Sequence, residues 1–165
     1  MNDLIVSCAK KWLHLSPDLV QSRLYNEADF YKQFIADLKR CKREVIIESP
    51  FISSNRMYSL IRPFEDLINR KIKAYVITRH PDEHDLTMKQ QAEEAIRRFE
   101  TIGVQVLLTL DYHHRKLAIL DRSILWEGSL NILSQTCSRE IMRRISSTSL
   151  SEEMFDYLKL ERFIY

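Results

Sequence analysis

A chain of 165 residues, 45% hydrophobic and 29% charged, has the size and make-up of one globular domain with enough apolar side chains to bury a core. A formal charge of +2 permits a nucleic-acid partner without arguing for one, because nucleic-acid-binding domains are usually far more basic. With only two glycines, Gly103 and Gly128, the chain holds neither a Walker loop nor a dinucleotide fingerprint, which sets nucleotide-cofactor chemistry aside. Cys8, Cys41 and Cys137 are odd in number, far apart and without a CxxC pair. They read as reduced thiols of a cytoplasmic protein, not as a disulfide frame or a zinc site. The start lacks a basic stretch followed by an apolar run, so no signal peptide is expected, and no stretch approaches the length of a membrane span.

In chain order, residues 3–14 read as a short amphipathic helix closed by the Ser16-Pro17 turn. Asn26 caps a predicted helix over 27–40, with Phe30, Phe34, Ile35 and Leu38 on its inner face. The β-branched run EVIIES (44–49) is a buried strand, ended by SPF. A helix follows to about Arg70, in which Pro63 marks a kink or boundary. IKAYVIT (72–78) is the next strand, RHPDEHD a polar loop, and 86–102 a helix stopped by Gly103. VQVLLTL (104–110) and KLAILD (116–121) are strands, with SILWEG as a hairpin partner and REIMRRI (139–145) as a further strand. Ser149 and Glu152 suggest a capping box for a last helix over 150–163. Strands alternating with helices predict an α/β sandwich in one domain, 1–165, with no internal repeat or linker.

The stretch HHRKLAILDRSILWEGSLN (113–131) carries the chemistry. Residues two apart on a strand share a face, so His114 and Lys116 project together while Arg115 turns away. Asp121, an odd number of positions from His114, falls on the opposite face of an unbroken strand and reads as a supporting residue. Gly128 permits a tight backbone approach. Ser129 and Asn131 then offer a hydroxyl and an amide. An imidazole, an ammonium and an amide converging on one point suit an oxyanion such as phosphate.

His114, Lys116 and Asp121 form H-x-K-x4-D, and Gly128, Ser129 and Asn131 follow as G-S-x-N. The string resembles the HKD signature of the phospholipase D superfamily, and IIESPFIS resembles the strand before that family's first helix. The resemblance spans about 27–145. It implies a phospholipase D-like αβα sandwich with a mixed central sheet and one HKD domain per chain. It also implies a phosphodiesterase that needs no metal and no other cofactor. One histidine attacks phosphorus to give a phosphohistidine, a second protonates the leaving oxygen, and water resolves the intermediate. Since this chain has one motif, the resemblance implies a homodimer with His114 of each copy at the shared site. Lys116 and Asn131 would hold phosphate oxygens, Ser129 and Asp121 would support them, and Glu140 would hydrogen-bond His114 and fix its tautomer.

Single-motif dimers are similar to the nuclease branch, so the expected partner is nucleic acid, DNA ahead of RNA, cleaved by an endonuclease. The anchored lipid-acting branch carries an N-terminal membrane segment that is not seen here, so no stable membrane association is expected. Arg115, Arg139 and Arg143 are candidates for following a nucleic-acid backbone, with Arg144 on the other strand face; the alternative is a solvated strand edge. His80 and His84, with Asp82 and Asp85, are a competing zinc set, but Pro81 makes this stretch a loop. The last helix is ringed by Met154, Phe155, Tyr157, Leu158, Leu160, Phe163 and Ile164, which suggests that part of it packs on a partner chain or domain. The end of the motif is also similar to nuclease modules of helicase-type proteins. The alternatives to a nuclease are a phospholipid phosphodiesterase and a nucleic-acid-binding module without turnover.

Overall fold

The computed structural model describes residues 21–110, 113–134 and 139–164. The predicted helix over 3–14, the Ser16-Pro17 turn, Cys8 and Cys137 lie outside these residues.

The chain enters through β1 (Ser22–Asn26) and turns at once into α1 (Glu27–Arg40). Asn26 accepts a hydrogen bond from the Asp29 amide at 3.1 Å, satisfying one free donor of the first turn. Acidic Glu27 and Asp29 at its start and basic Lys39 and Arg40 at its end complement the helix dipole. β2 (Glu44–Glu48) follows, then α2 (Ser54–Asn69), β3 (Lys73–Arg79), α3 (Leu86–Ile102) and β4 (Gln105–Thr109). Pro63 sits inside α2 without ending it. Gly103 ends α3 at φ 102°, in the left-handed region where a Cβ is disfavoured. The hairpin β5 (Leu117–Leu120) and β6 (Ile124–Gly128), then β7 (Ile141–Ser146), α4 (Thr148–Tyr157) and a 3₁₀ turn (Leu160–Arg162) complete the described chain.

The seven strands form one sheet in the order β1-β7-β6-β5-β2-β3-β4. β2, β3 and β4 are parallel, joined through α2 and α3, while β5, β6, β7 and β1 run antiparallel beside them. This is the expected αβα sandwich with a mixed sheet. On one face α1, α2 and α3 bury Phe30, Phe34, Leu60, Phe64 and Phe99 against Val45, Ile47, Val76 and Trp126. On the other, α4 and the 3₁₀ turn bury Phe155, Leu160 and Ile164 against Ile46, Tyr75, Ile119 and Ile145. β2 is buried along its whole length because both faces are covered. Asp37, buried on α1, receives the Trp126 indole at 3.1 Å and the Arg144 guanidinium at 2.7 Å, which fixes Arg144 in the first core.

Several boundaries differ from expectation. The last helix starts at Thr148, not 150: Ser147, in extended backbone, accepts from the Leu150 amide at 3.1 Å and takes the capping role expected of Ser149 and Glu152. That helix also stops at Tyr157, before the predicted 163. Met154 and Leu158 join Phe155, Leu160 and Ile164 in the second core, so most of the apolar ring packs on this chain's own sheet. Tyr157 and Phe163 stay outside at 76% and 54% exposure. The strand predicted over 139–145 begins at Ile141 and ends at Ser146. β1 had no signal, because SRLYN is a short, largely exposed edge strand that exists through its pairing with β7.

Candidate active site

The site lies at one end of the sheet because of the strand directions. β5 is antiparallel to β2, so its entry lies at the carboxyl ends of β2 and β3. β6 ends at Gly128 on that same side, where the Gly128 amide reaches the Lys116 carbonyl at 3.3 Å, and β7 starts there at Ile141. Topology alone thus gathers the H-x-K segment, the G-S-x-N turn and Glu140.

His114 and Lys116 meet as expected, although β5 begins only at Leu117. The Lys116 ammonium stands 2.6 Å from Nδ1 of His114 and 2.6 Å from its carbonyl oxygen. Nδ1 of His114 is therefore the acceptor, with Lys116 as donor. The ring of Phe51, from the SPF loop after β2, stands edge-on to the exposed His114 ring at 5.8 Å and 81°. Burial lowers the pKa of Lys116, and the charge of nearby Glu140 opposes this. A less solvated ammonium is a stronger donor to an oxyanion.

The turn is held by the sheet. The Ser129 amide donates to the Ile141 carbonyl at 3.0 Å, and the Ser129 hydroxyl accepts from the Ile141 amide at 3.2 Å. A Cβ on Gly128 would stand 2.2 Å from the Ile141 carbonyl oxygen, so only glycine allows this approach. Half-buried Asn131 follows, its Oδ1 buried without a hydrogen-bond partner, and so is Oε2 of Glu140. Glu140 acts on Lys116 and also on Tyr31 of α1, whose hydroxyl donates to the Ile132 carbonyl at 3.0 Å and whose ring lies 3.7 Å beneath the Arg56 guanidinium. Burial leads the shift that raises the Tyr31 pKa, so this tyrosine stays a neutral donor.

Three expectations need correction. Within one chain it is Lys116, not Glu140, that occupies Nδ1 of His114, because the ammonium doubles back onto its own segment. Asp121 is not at the site. It closes β5 at the opposite end, where its carboxylate accepts from the amides of Lys42, Arg43 and Glu44 at 2.9, 2.7 and 3.1 Å and from the Cys41 thiol at 3.0 Å. It ties the α1–β2 turn to the β5–β6 hairpin. Arg115 does not stand apart as a surface cation: half exposed, it binds buried Glu48 through Nε at 2.9 Å and a second guanidinium nitrogen at 2.7 Å.

Of the other arginines, Arg143 bonds the Ser22 hydroxyl at 3.2 Å and lines, with Arg115, Lys116, Glu127 and Tyr157, a groove of about 460 Å³. Arg139 is exposed beside Glu140. The His80–Asp85 loop has other duties: Asp82 pairs with Lys89 at 2.5 Å, Asp85 caps α3, and His84 packs on Phe51 at 5.2 Å. No group of three or more His, Cys, Asp or Glu among the described residues is placed to hold a metal ion.

Glu48 and His113, both buried, were missed by sequence reasoning. A carboxylate inside the apolar run EVIIES, and a second histidine beside His114, were the available signals.

The family described as "Cardiolipin synthase, PLD-like domain" matches residues 34–160. The chain belongs to the phospholipase D superfamily. The match runs past residue 145, where the motif resemblance ends, and takes in α4. Two similar solved structures are NucT from Helicobacter pylori and the phospholipase D family member Nuc from Salmonella typhimurium. NucT is 17% identical at a TM-score of 0.68, covering 84% of this chain and 92% of that one. Nuc is 13% identical at 0.66, covering 84% and 91%. A polyphosphate kinase from Porphyromonas gingivalis is 14% identical at 0.66, and the match covers 91% of this chain but 28% of the kinase. No curated protein sequence matches the chain. This phospholipase D superfamily member thus has the fold of Nuc and NucT, and among the described residues no helix is long and apolar enough to cross a membrane.

Proposed function

We propose that this protein is a metal-independent nuclease, cleaving DNA or RNA phosphodiesters through a phosphohistidine in a site completed by a second copy of the chain. The observation that carries the reading is the 2.6 Å pairing of Lys116 with His114 at the sheet end that also holds Asn131 and Glu140. A substrate phosphate draws Lys116 from Nδ1 onto its own oxygens. Freed of Lys116, the ring shifts its proton from Nε2 to Nδ1 through solvent and donates it to Glu140, which leaves the Nε2 lone pair toward phosphorus. The N–P bond forms as the bond to the leaving oxygen breaks, and that oxygen takes a proton from His114 of the second copy. Water then attacks phosphorus, gives its proton to that second histidine and releases His114. Lys116 and Asn131 stabilise charge gathering on the phosphoryl oxygens. Membership of the phospholipase D superfamily supports a phosphodiesterase, and the fold shared with Nuc and NucT supports the nuclease choice.

The test is cleavage of labelled single-stranded and duplex DNA and RNA in EDTA, beside cardiolipin vesicles and the variant His114→Ala. Nucleic-acid cleavage by the wild type alone is expected. Hydrolysis of cardiolipin alone moves the substrate to lipid. Equal cleavage by both proteins removes His114 from the mechanism.

A further inference from the structure

His114 and Lys116 need a fixed orientation, yet residues 113–116 precede the regular ladder of β5. A slip of one residue in an extended segment would exchange its two faces. The opposite face is where the segment is held. Glu48, the last residue of β2 and 1% exposed, lies opposite Leu117. Its Oε1 receives both nitrogens of Arg115 and stands 3.5 Å from Nε2 of His113. His113 is tied in turn through Nδ1 to the Thr109 hydroxyl of β4 at 2.6 Å. The buried carboxylate therefore ties Arg115 to β2 and stands beside His113, which Thr109 ties to the parallel half of the sheet. A hydrophobic residue at this depth would cost less than an ion, so stability alone does not account for it. Oε2 of Glu48 and Nε2 of His113 are buried without hydrogen-bond partners.

We infer that Glu48 is a positioning residue: by holding Arg115 from beneath, beside the Thr109-bound His113, it turns His114 and Lys116 together toward the phosphate. This rests on the phosphodiesterase reading above. Arg115 is then a strut of the segment, not a contact to substrate. The groups facing His113 are Glu48 from β2, Thr109 from β4, Arg79 from β3, Glu83 from the following turn and Arg115 from its own segment. Burial first, then Arg115 and Arg79, lower the His113 pKa, while Glu48 and Glu83 work against them.

The experiment compares the full chain with Glu48→Gln and Arg115→Gln by steady-state cleavage and by NMR titration of the histidine rings. For Glu48→Gln the expected loss is about 100-fold in kcat with KM held within about 2-fold, as for misplaced reacting groups. The His113 ring should titrate at lower pH than in the wild type, and the His114 ring signals should move. Wild-type kcat with unmoved His114 signals overturns the inference. Should Glu48→Gln fail to fold, Arg115→Gln decides: a kcat loss supports the strut, whereas a KM rise alone makes Arg115 a substrate contact and overturns it. If the wild type cleaves no substrate offered, the phosphodiesterase reading fails by itself, and the His114 signals of the two variants still decide whether Glu48 orients the segment.

Discussion

Asp121 shows how one side chain of the H-x-K-x4-D string serves the fold. Burial alone would raise its pKa, but the bond from the Cys41 thiol and those from the amides of Arg43, Lys42 and Glu44 lower it overall. A carboxylate whose folded pKa lies below its unfolded value, about 3.9, stabilises the fold at neutral pH, and that contribution fades as pH falls below about 4 through the folded value. Asp121→Asn should cost about 1–3 kcal/mol at neutral pH by weakening several bonds to amides. The deficit should shrink in acid, while kcat stays near wild type because the site is at the other end of β5. Urea melts at pH 7 and pH 3, with cleavage assays, check both parts; an unstable enzyme with unchanged acid sensitivity would be the wrong outcome. Period-two spacing makes the pairing of His114 with Lys116 and the opposite placement of Arg115 legible in the sequence, since alternation survives wherever the backbone is extended. Glu48 was not legible as part of the site, because its relation to Arg115 spans β2 and β5 and no local pattern encodes it.

Among the elements, the G-S-x-N turn shows most directly how packing dictates a residue. β7 passes so close to β6 that a Cβ at Gly128 would meet the Ile141 carbonyl oxygen at 2.2 Å and the Met142 Cα at 2.9 Å. Both are backbone atoms, so β7 itself would have to move. Gly128→Ala should cost about 1–3 kcal/mol, in the range for overpacked sites, and should displace Ser129, Asn131 and Glu140 together. A lowered melting temperature with a large loss of kcat is the expected pair of results; a variant with wild-type turnover would separate the turn from catalysis. The boundaries of α1 and α3 were readable because Asn26, Asp85 and Gly103 mark them locally. The start of α4 was not, because Ser147 and Ser149 are equally good caps by type and only the end of β7 selects the first.

For the molecule as a whole, one H-x-K and one G-S-x-N in this chain supply half of the two-histidine reaction proposed above. Activity should therefore depend on a second copy, and a dilution series followed by sedimentation should show specific activity falling as dimers dissociate. A monomer of full specific activity would sink the shared site. Because the proposed reaction needs one histidine neutral while its twin is protonated, turnover should fall on both sides of a pH optimum.

Much of this protein was local enough to be read along the chain. The alternation of strands and helices, the apolar face of α1, the glycine at a close approach and the H-x-K spacing each rest on neighbouring residues and backbone period. What tertiary structure alone decided were relations between residues far apart in sequence. Such were the burial of Glu48 beneath Arg115 and His113, the anchoring of the α1–β2 turn by Asp121 and the capture of Arg144 by Asp37. So too was β1, whose exposed five residues become a strand only because β7 offers them a free edge. The physical reason is that periodicity reports which way a side chain points, whereas its partner is set by strand order, and strand order is settled by how the two cores close around one sheet.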